Sequence, residues 1–281
     1  MTADLFHVPS HVPGFEAHVA DYDSASEAAR ARLPNRLNVP YGEGPDEKLD
    51  LFFPTGARGA PRPIHMFVHG GYWRAQSKDR YAFVADEVTA AGAIAAIIDY
   101  SLMPKARMGV LVDQTRRAAR WLEQNAASFG GDAEAISASG HSAGGHLASY
   151  LFARGPREEA AAPLVRSALL VSGLYDLGPL TRSFLQAEIH LTEEEVAAWS
   201  PITGRPAAGM TVTLIAGGAE TEPFHKQMGT YADLLRRTGA RVKTGAPHGE
   251  DHMTIVRRLG QGGTECARLL RETIEASLSA R

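Results

Sequence analysis

The sequence contains almost no cysteine and no long apolar run. Cys266 is the one cysteine in 281 residues, so no intrachain disulfide framework can form, and we interpret it as a buried apolar side chain in the last helix. No stretch approaches the ~18 apolar residues of a membrane span. The N-terminal residues, among them Asp4 and His7, lack the basic start and apolar core of a signal peptide. These absences predict a soluble, cytoplasmic protein.

An excess of positive charge is also missing. The chain has 29 Lys and Arg against 32 Asp and Glu, a net charge of −3, which argues against nucleic acid or an anionic membrane as a partner. It has neither a G-x-G-x-x-G sequence nor a Walker loop, so no cofactor is expected. A small-molecule substrate is the expected partner, and the question of a homodimer stays open.

Short apolar runs alternate with longer amphipathic segments along most of the chain. The apolar runs predict strands at Lys48–Phe53, Ile64–Val68, Ala93–Ile98, Ala135–Ala138, Ala168–Val171, Thr211–Ile215 and Arg241–Lys243. The amphipathic segments predict helices at Val110–Ala127, Ala143–Phe152 and Thr264–Leu278. Strands that alternate with helices predict one α/β domain over residues 1–281, with a mostly parallel central sheet and helices on both faces. Ligands of such sheets bind beyond the carboxyl ends of the strands.

Two segments do not follow this alternation. Residues 1–45 are expected to form an N-terminal extension of irregular chain with one short helix, from Ser24 to Arg32. Residues 177–206 are longer than a plain crossover, and Thr192 followed by Glu195 is typical of a capped helix start. We predict a small helical cap over the site, with a plain surface crossover as the alternative.

A G-x-S-x-G sequence follows one predicted strand and opens the next helix. Gly140-His141-Ser142-Ala143-Gly144 lies between the strand Ala135–Ala138 and the helix from Ala143. This strand–turn–helix context is the one in which a serine nucleophile stands on a sharp, strained turn in the α/β-hydrolase fold. We therefore predict that Ser142 is a catalytic nucleophile. A glycine-rich turn that only caps a helix is the alternative.

A second glycine motif follows the strand Ile64–Val68. His69-Gly70-Gly71-Tyr72-Trp73 corresponds to the loop that supplies an oxyanion-binding N–H in this fold. We assign the N–H groups of Gly71 and Ala143 as donors, with Gly70 as an alternative, and expect His69 to organise the loop. Tyr72 and Trp73 are candidates for lining the acyl pocket, with structural packing as the alternative.

Chain order in this fold is nucleophile, acid, histidine. Glu220 follows the strand Thr211–Ile215 and is the predicted acid, with Glu222 and Asp176 as rivals. His252 follows the last strand and is the predicted base, with His248 as its rival.

A metal site is not expected. His248 and His252 have H-x-x-x-H spacing, which can indicate zinc, but the intervening Gly-Glu-Asp sequence is poor helix, so the two rings need not share a face.

The motifs together resemble the arylformamidases (kynurenine formamidases) of the α/β-hydrolase type. The resemblance rests on the HGGYW motif with Ser77-Lys78-Asp79, on residues 140–146, on Gly173–Leu177 and Ser200-Pro201, and on Phe224–Gln227 with Asp251-His252. It implies metal-independent hydrolysis of an aryl formamide such as N-formylkynurenine. The family usually has aspartate where this chain has Glu220, so Glu222 and Asp176 stay as alternatives for the acid. We count Tyr72, Trp73, His141 and Phe224 as candidate substrate-binding residues.

Relatives with the same motifs are carboxylesterases, because the motifs specify the catalytic machinery and not the acyl group. A carboxylesterase for short-chain acyl esters is therefore the second hypothesis. A non-catalytic, ligand-binding protein on a hydrolase scaffold is a remote third, since such a protein would be expected to lose the nucleophile or the base.

Overall fold

A computed structural model describes residues 4–56 and 60–279, so residues 1–3 of the expected N-terminal extension lie outside the described part. The main sheet has eight strands: β1 (Asn35–Pro40), β2 (Lys48–Phe52), β3 (Arg62–Val68), β4 (Ile94–Ile98), β5 (Gly131–His141), β7 (Ser167–Val171), β9 (Thr211–Ile215) and β10 (Arg241–Gly245). Two short strands, β6 (Ala153–Arg154) and β8 (Arg205–Pro206), pair separately.

The strand order is β1-β2-β4-β3-β5-β7-β9-β10. β1 and β2 pair antiparallel, as do β2 and β4, and the remaining neighbours are parallel. The carboxyl ends of β3, β5, β7, β9 and β10 therefore meet at one edge of the sheet. This topology brings together the five loops that carry the predicted site.

Helices surround the sheet in the described ranges. They are α1 (Phe15–Arg32), α2 (Ala85–Ala90), α3 (Met108–Asn125), α4 (Ala143–Ser149), α5 (Gln186–Ile189), α6 (Glu193–Trp199), α7 (Glu222–Arg237), α8 (Thr254–Arg257) and α9 (Glu265–Ser279). α9 packs along β5 and β7, and α3 and α4 pack together against β5. No helix in the described residues is both long and apolar enough to cross a membrane.

The predicted strands and long helices are present, with shifted ends. The strand predicted at Ala135–Ala138 is longer, Gly131–His141, and the helix predicted to reach Phe152 ends at Ser149. β3 and β4 are buried almost throughout, which explains why their residues form unbroken apolar runs.

The prediction for residues 1–45 was wrong in its main point. The segment is not irregular with one short helix, because α1 runs 18 residues from Phe15 and β1 adds an edge strand. The helix has almost no amphipathic pattern in its sequence, so periodicity gave no signal for its first half. Tertiary contacts stabilise it instead, since α1 packs on the 3₁₀ segment Lys78–Val84.

Residues 177–206 fold into short helical turns. The capping box predicted at Thr192 is present, because its hydroxyl accepts the Glu195 N–H and the Glu195 carboxylate accepts the Thr192 N–H. Glu195 also forms an ion pair with Arg107, the residue before α3, and so connects residues 177–206 to that helix.

A buried imidazole couples folding to pH. The His146 Nδ1 accepts a hydrogen bond from Trp73 Nε1 at 3.2 Å, and its Nε2–H donates to the Trp199 carbonyl at 2.8 Å. The ring makes both bonds only when it is neutral. Burial lowers the pKa of His146 to about 4, with the Trp199 carbonyl opposing the shift.

We predict that the free energy of unfolding falls as the pH drops from 6.5 to 4. In this window the unfolded chain binds a proton that folded His146 does not, which costs up to about 3 kcal/mol of stability. Urea unfolding at pH 7.5 and 5 measures the change. His146→Gln should be less stable at pH 7.5 but lose less between the two pH values. Equal losses in both proteins would contradict the assignment.

Candidate active site

Ser142 stands on a strained turn between β5 and α4. Its backbone has φ 55° and ψ −120°, an unusual conformation for a residue with a side chain. Its N–H donates to the Val171 carbonyl at 2.8 Å, which fixes the turn against β7. The neighbouring Gly144 must be glycine, because a Cβ there would lie 2.0 Å from the Val68 carbonyl oxygen. The turn can form only with this close approach to β3.

Glu220 and His252 form a buried hydrogen-bonded pair. The His252 Nδ1–H donates to Glu220 Oε2 at 2.7 Å, and the two side chains are 7% and 1% exposed. The second carboxylate oxygen, Oε1, accepts hydrogen bonds from Ser172 Oγ at 2.5 Å and Gly217 N–H at 2.6 Å. Because Nδ1 carries the proton, Nε2 is the ring atom left to accept a proton from a serine.

The loops that carry the acid and the base are held to each other through their backbones. Gly218 N–H donates to the Pro247 carbonyl and Ala219 N–H to the Glu250 carbonyl, each at 2.9 Å. On the base side, Asp251 Oδ1 accepts the N–H groups of Met253 and Thr254 at 2.8 Å and so holds the turn that leads into α8. The backbone on either side of His252 is thus fixed, in addition to the hydrogen bond of its side chain to Glu220.

The rival acids and the rival base lie elsewhere. Asp176 Oδ1 accepts the Gly178 N–H at 2.9 Å, a local turn contact. Glu222 is exposed at the first position of α7, and His248 is exposed on a turn. The geometry therefore favours the pair Glu220 and His252, which the sequence alone left open.

The oxyanion loop passes directly over Ser142. A Cβ at Gly70 would lie 3.3 Å from the Ser142 Cβ. Burial raises the pKa of the neighbouring Tyr81 phenol, and the Gly70 backbone opposes part of that rise. Gly71 and Ala143 stay the predicted donors, with Gly70 as the alternative.

Backbone strain is concentrated in this loop. Gly71 has φ +112°, and the non-glycine residues Tyr72, Trp73 and Gln76 have φ of 51°, 59° and 75°. Strained backbone of this kind persists only where its surroundings hold it. The carbonyl of Gly71 accepts the N–H groups of Arg74 and Ala75, which closes a tight turn at the end of the loop.

The Ser77-Lys78-Asp79 segment holds this loop in position. Lys78 is 2% exposed, and its Nζ pairs with Asp50 at 3.0 Å and Asp79 at 2.8 Å. Its N–H donates to Asp99 Oδ1 at 2.6 Å, and Asp99 lies 3.5 Å from the His69 Nε2. His69 stacks on Tyr100 with ring centroids 4.3 Å apart. These contacts agree with the expectation that His69 organises the loop.

His141 contacts His252 through a hydrogen bond to its backbone and through packing of the two rings. Its Nε2–H donates to the His252 carbonyl at 2.9 Å, and the two rings lie 4.6 Å apart. Burial, with a further contribution from the nearby His252, holds the pKa of His141 well below its usual range. A neutral His141 adds no positive charge that would oppose protonation of His252.

A cavity of about 230 Å³ lies in front of Ser142 and His252. Its walls are largely apolar, although Gln76, Arg74, Arg80 and His7 contribute polar side chains. The remaining walls are formed by Val8, Pro9, Phe15, Val19, Tyr22, Gly71, Tyr72, Ala75, Tyr81, His141, Phe184 and Met253. Tyr72 and His141 therefore occupy the predicted position beside the site.

Two predicted substrate-binding residues do not line this cavity. Trp73 is completely buried, and its indole N–H donates to His146. It therefore packs in the core, which was the alternative to lining the acyl pocket. Phe224 is 2% exposed and packs its ring 4.6 Å from that of His252, on a side of the base shared with Glu220. Both residues support the site from outside.

Sequence reasoning missed two contributors. Ser172 donates a hydrogen bond to Glu220. Its positive φ of 50° marks it as unusual, but this angle is known only from the structure. The other is the N-terminal strap, by which we mean residues Asp4–Val12. His7, Val8 and Pro9 of the strap form part of the cavity wall, although nothing in their sequence marks a binding segment.

Comparison with known proteins decides the family. Residues 49–159 match the BD-FAE family. A kynurenine formamidase of Danio rerio is 31% identical over 248 residues, which cover 86% of this chain and 83% of that protein. The chain belongs to the kynurenine formamidase family.

This chain is also similar to esterases. An isoprenylcysteine α-carbonyl methylesterase of Arabidopsis thaliana is 25% identical over 243 residues, 78% of this chain and 57% of that protein. A crystal structure named "putative thioesterase", from Silicibacter sp. TM1040, superimposes with a TM-score of 0.81 at 27% identity, over 96% of this chain and 99% of that one. The chain is therefore an α/β-hydrolase enzyme.

Other motif residues of the kynurenine formamidase resemblance form hydrogen bonds that hold the loops around the site. Gln227 Oε1 accepts the N–H groups of Tyr175 and Asp176 at 2.5 and 2.8 Å, which joins α7 to the loop after β7. Ser200 Oγ accepts the Leu177 N–H at 3.2 Å and donates to the Val196 carbonyl at 2.7 Å. The motif residues thus hold loops whose positions determine where Ser172 and the acid lie.

We predict that Glu220→Gln lowers kcat by about 10³–10⁴-fold, because the amide cannot stabilise the His252 imidazolium or select its tautomer. Asp176→Asn is the matched control and should stay within a few-fold of the unmodified enzyme, since its contact is a local turn. Steady-state ester hydrolysis measures both. A larger loss in Asp176→Asn than in Glu220→Gln would transfer the role of acid to Asp176.

We predict that Gly71→Ala lowers kcat by about 10²–10³-fold, the effect of losing one oxyanion donor. The new Cβ would meet the Ala75 carbonyl oxygen at 2.1 Å and displace the loop. Gly239→Ala is the control, because it has φ +84° but open space around it. Thermal unfolding measures whether both variants fold. Wild-type kcat in folded Gly71→Ala would rule out this loop as the donor.

Proposed function

We propose that this enzyme hydrolyses an aryl formamide such as N-formylkynurenine through an acyl-enzyme formed on Ser142. The observation that carries the proposal is the buried Glu220–His252 pair beside Ser142, in a member of the kynurenine formamidase family. The Ser142, Glu220 and His252 roles are part of the proposal. So are the small-molecule substrate and the cytoplasmic location predicted from the sequence.

The first half of the proposed reaction forms the acyl-enzyme. His252 Nε2 accepts the proton of Ser142 as Oγ attacks the formyl carbon, and the carbonyl oxygen becomes an oxyanion facing the Gly71 and Ala143 N–H groups. The C–N bond then breaks, and His252 returns the proton to the arylamine nitrogen. Glu220 holds Nδ1 and stabilises the imidazolium in between.

The second half releases formate. His252 accepts a proton from water as the water oxygen attacks the formyl ester, and the bond between the formyl carbon and Ser142 Oγ breaks when the proton returns to Oγ. The position of Glu220 supports this scheme despite the extra methylene relative to aspartate. Its carboxylate reaches Nδ1 at 2.7 Å because Ser172 and Gly217 hold the other oxygen.

The size of the cavity supports a compact substrate. At about 230 Å³ it is smaller than the ~300–1,000 Å³ of ordinary ligand pockets. A dry protein cavity of ~150 Å³ holds benzene, so the volume suits one aromatic ring with a short polar tail. A formyl group needs almost no acyl pocket.

A carboxylesterase for short-chain esters is the second candidate. The similarity to the Arabidopsis methylesterase and to the Silicibacter structure favours it, and the same three residues would carry it. Non-catalytic ligand binding has no specific observation in its favour, since Ser142 and His252 both line the cavity.

We predict that kcat/KM for N-formylkynurenine exceeds that for nitrophenyl butyrate, because the cavity accommodates a small acyl group on one ring. Assays of both substrates and of nitrophenyl acetate, with one enzyme preparation, measure the ratio. Ser142→Ala should lower every kcat by about 10⁴–10⁶-fold and abolish labelling by a fluorophosphonate.

Strong butyrate hydrolysis beside negligible formamide hydrolysis would replace the first candidate by the second. Near-full activity in Ser142→Ala would remove the nucleophile from both.

A further inference from the structure

We propose that the N-terminal strap is the specificity wall of this enzyme: it closes the cavity in front of Ser142 and sets the upper size of the substrate. The proposal rests on the proposed function only in taking Ser142 as the nucleophile. It holds for esters as well as formamides, because it concerns the space available and not the bond that is cleaved.

The strap is fastened to three separate parts of the site. Phe184 N–H donates to Asp4 Oδ2 at 2.7 Å, and Thr221 Oγ1 donates to the Leu5 carbonyl at 2.8 Å. The Tyr72 phenol donates to the Phe6 carbonyl. The anchors belong to residues 177–206, to the residue after the acid Glu220, and to the oxyanion loop. A segment at the start of the chain thus spans the loops that follow three different strands.

The strap is also held by its own structure and by apolar packing. Asp4 Oδ1 accepts the Phe6 N–H at 3.0 Å, and Val8–Ser10 form a 3₁₀ turn. Phe6, Val8 and Val12 are 8%, 5% and 5% exposed. The Phe6 ring packs edge-on against Phe224, which itself packs against His252. Buried apolar side chains give the strap a defined position instead of a loose one.

The inner side of the strap faces the cavity. His7, Val8 and Pro9 belong to its wall, as do Phe15 and Val19 of the following helix. The His7 ring packs edge-on against Phe184, with centroids 4.7 Å apart, so the strap and residues 177–206 meet across the site. Without the strap, the cavity would be open on this side. The small volume in front of Ser142 therefore depends on a segment that contains no catalytic group.

Val8→Ala tests the size limit directly, because it removes two methyl groups from the wall. We expect it to raise the ratio of kcat/KM for nitrophenyl octanoate to that for nitrophenyl acetate by about tenfold or more, the scale of a few methylenes in an apolar pocket. Asp4→Ala, which removes the acceptor for the Phe184 and Phe6 N–H groups, should change the ratio in the same direction. Val8→Phe should lower turnover of butyrate relative to acetate.

Leu5→Ala is the matched control. It lies in the same strap, its side chain is 43% exposed, and it is not part of the cavity wall, so the octanoate-to-acetate ratio should equal that of the unmodified enzyme. Circular dichroism and thermal unfolding report whether each variant folds. Should Asp4→Ala unfold, the opposite effects expected from Val8→Ala and Val8→Phe still decide the question.

Labelling rates of Ser142 by two fluorophosphonates that differ only in alkyl length provide a readout independent of substrate choice. Val8→Ala should accelerate labelling by the longer reagent selectively. Unchanged ratios in folded Val8→Ala and Asp4→Ala, by both readouts, would overturn the specificity wall. Failure to hydrolyse N-formylkynurenine would leave these ratios intact, so the two proposals fail separately.

Discussion

The hydrogen bond between Glu220 and His252 is the interaction on which the site depends. Both side chains are buried, and a buried carboxylate is costly unless its oxygens accept hydrogen bonds. Three donors meet this requirement: the His252 ring, the Ser172 hydroxyl and the Gly217 N–H. They come from the ends of three adjacent strands, so the sheet must be complete before the carboxylate can be satisfied.

That requirement explains why many of the motif residues are not themselves candidate catalytic residues. The buried Lys78–Asp50 pair holds the oxyanion loop, and Gln227 holds the loop after β7. Breaking a buried ion pair by removing one partner is strongly destabilising, because it leaves an unpaired charge. Such residues position the reacting groups without touching them. Substituting these residues would displace the hydrogen-bond donors of the site.

The substrate side of the site has a different origin. The candidate catalytic residues come from the strand ends, whereas the opposite wall of the cavity comes from the N-terminal strap, α1 and Phe184. These elements lie outside the parallel α/β alternation that builds the sheet. A family can therefore keep one catalytic apparatus and alter its substrates by changing peripheral segments, which fits the similarity of this chain to both formamidases and esterases.

The sequence by itself determined the parallel sheet, the turn at Ser142 and the glycine loop before it, because each depends on short-range patterns of apolar and glycine residues. It also limited the acid and the base to two or three residues each. Only the tertiary structure distinguishes them, since Glu220, Asp176 and Glu222 differ in what surrounds them. The same holds for Trp73, Phe224 and the strap. Whether a side chain enters a cavity is decided by packing between segments that are far apart in the sequence, such as Leu5 and Thr221, and no local pattern encodes that.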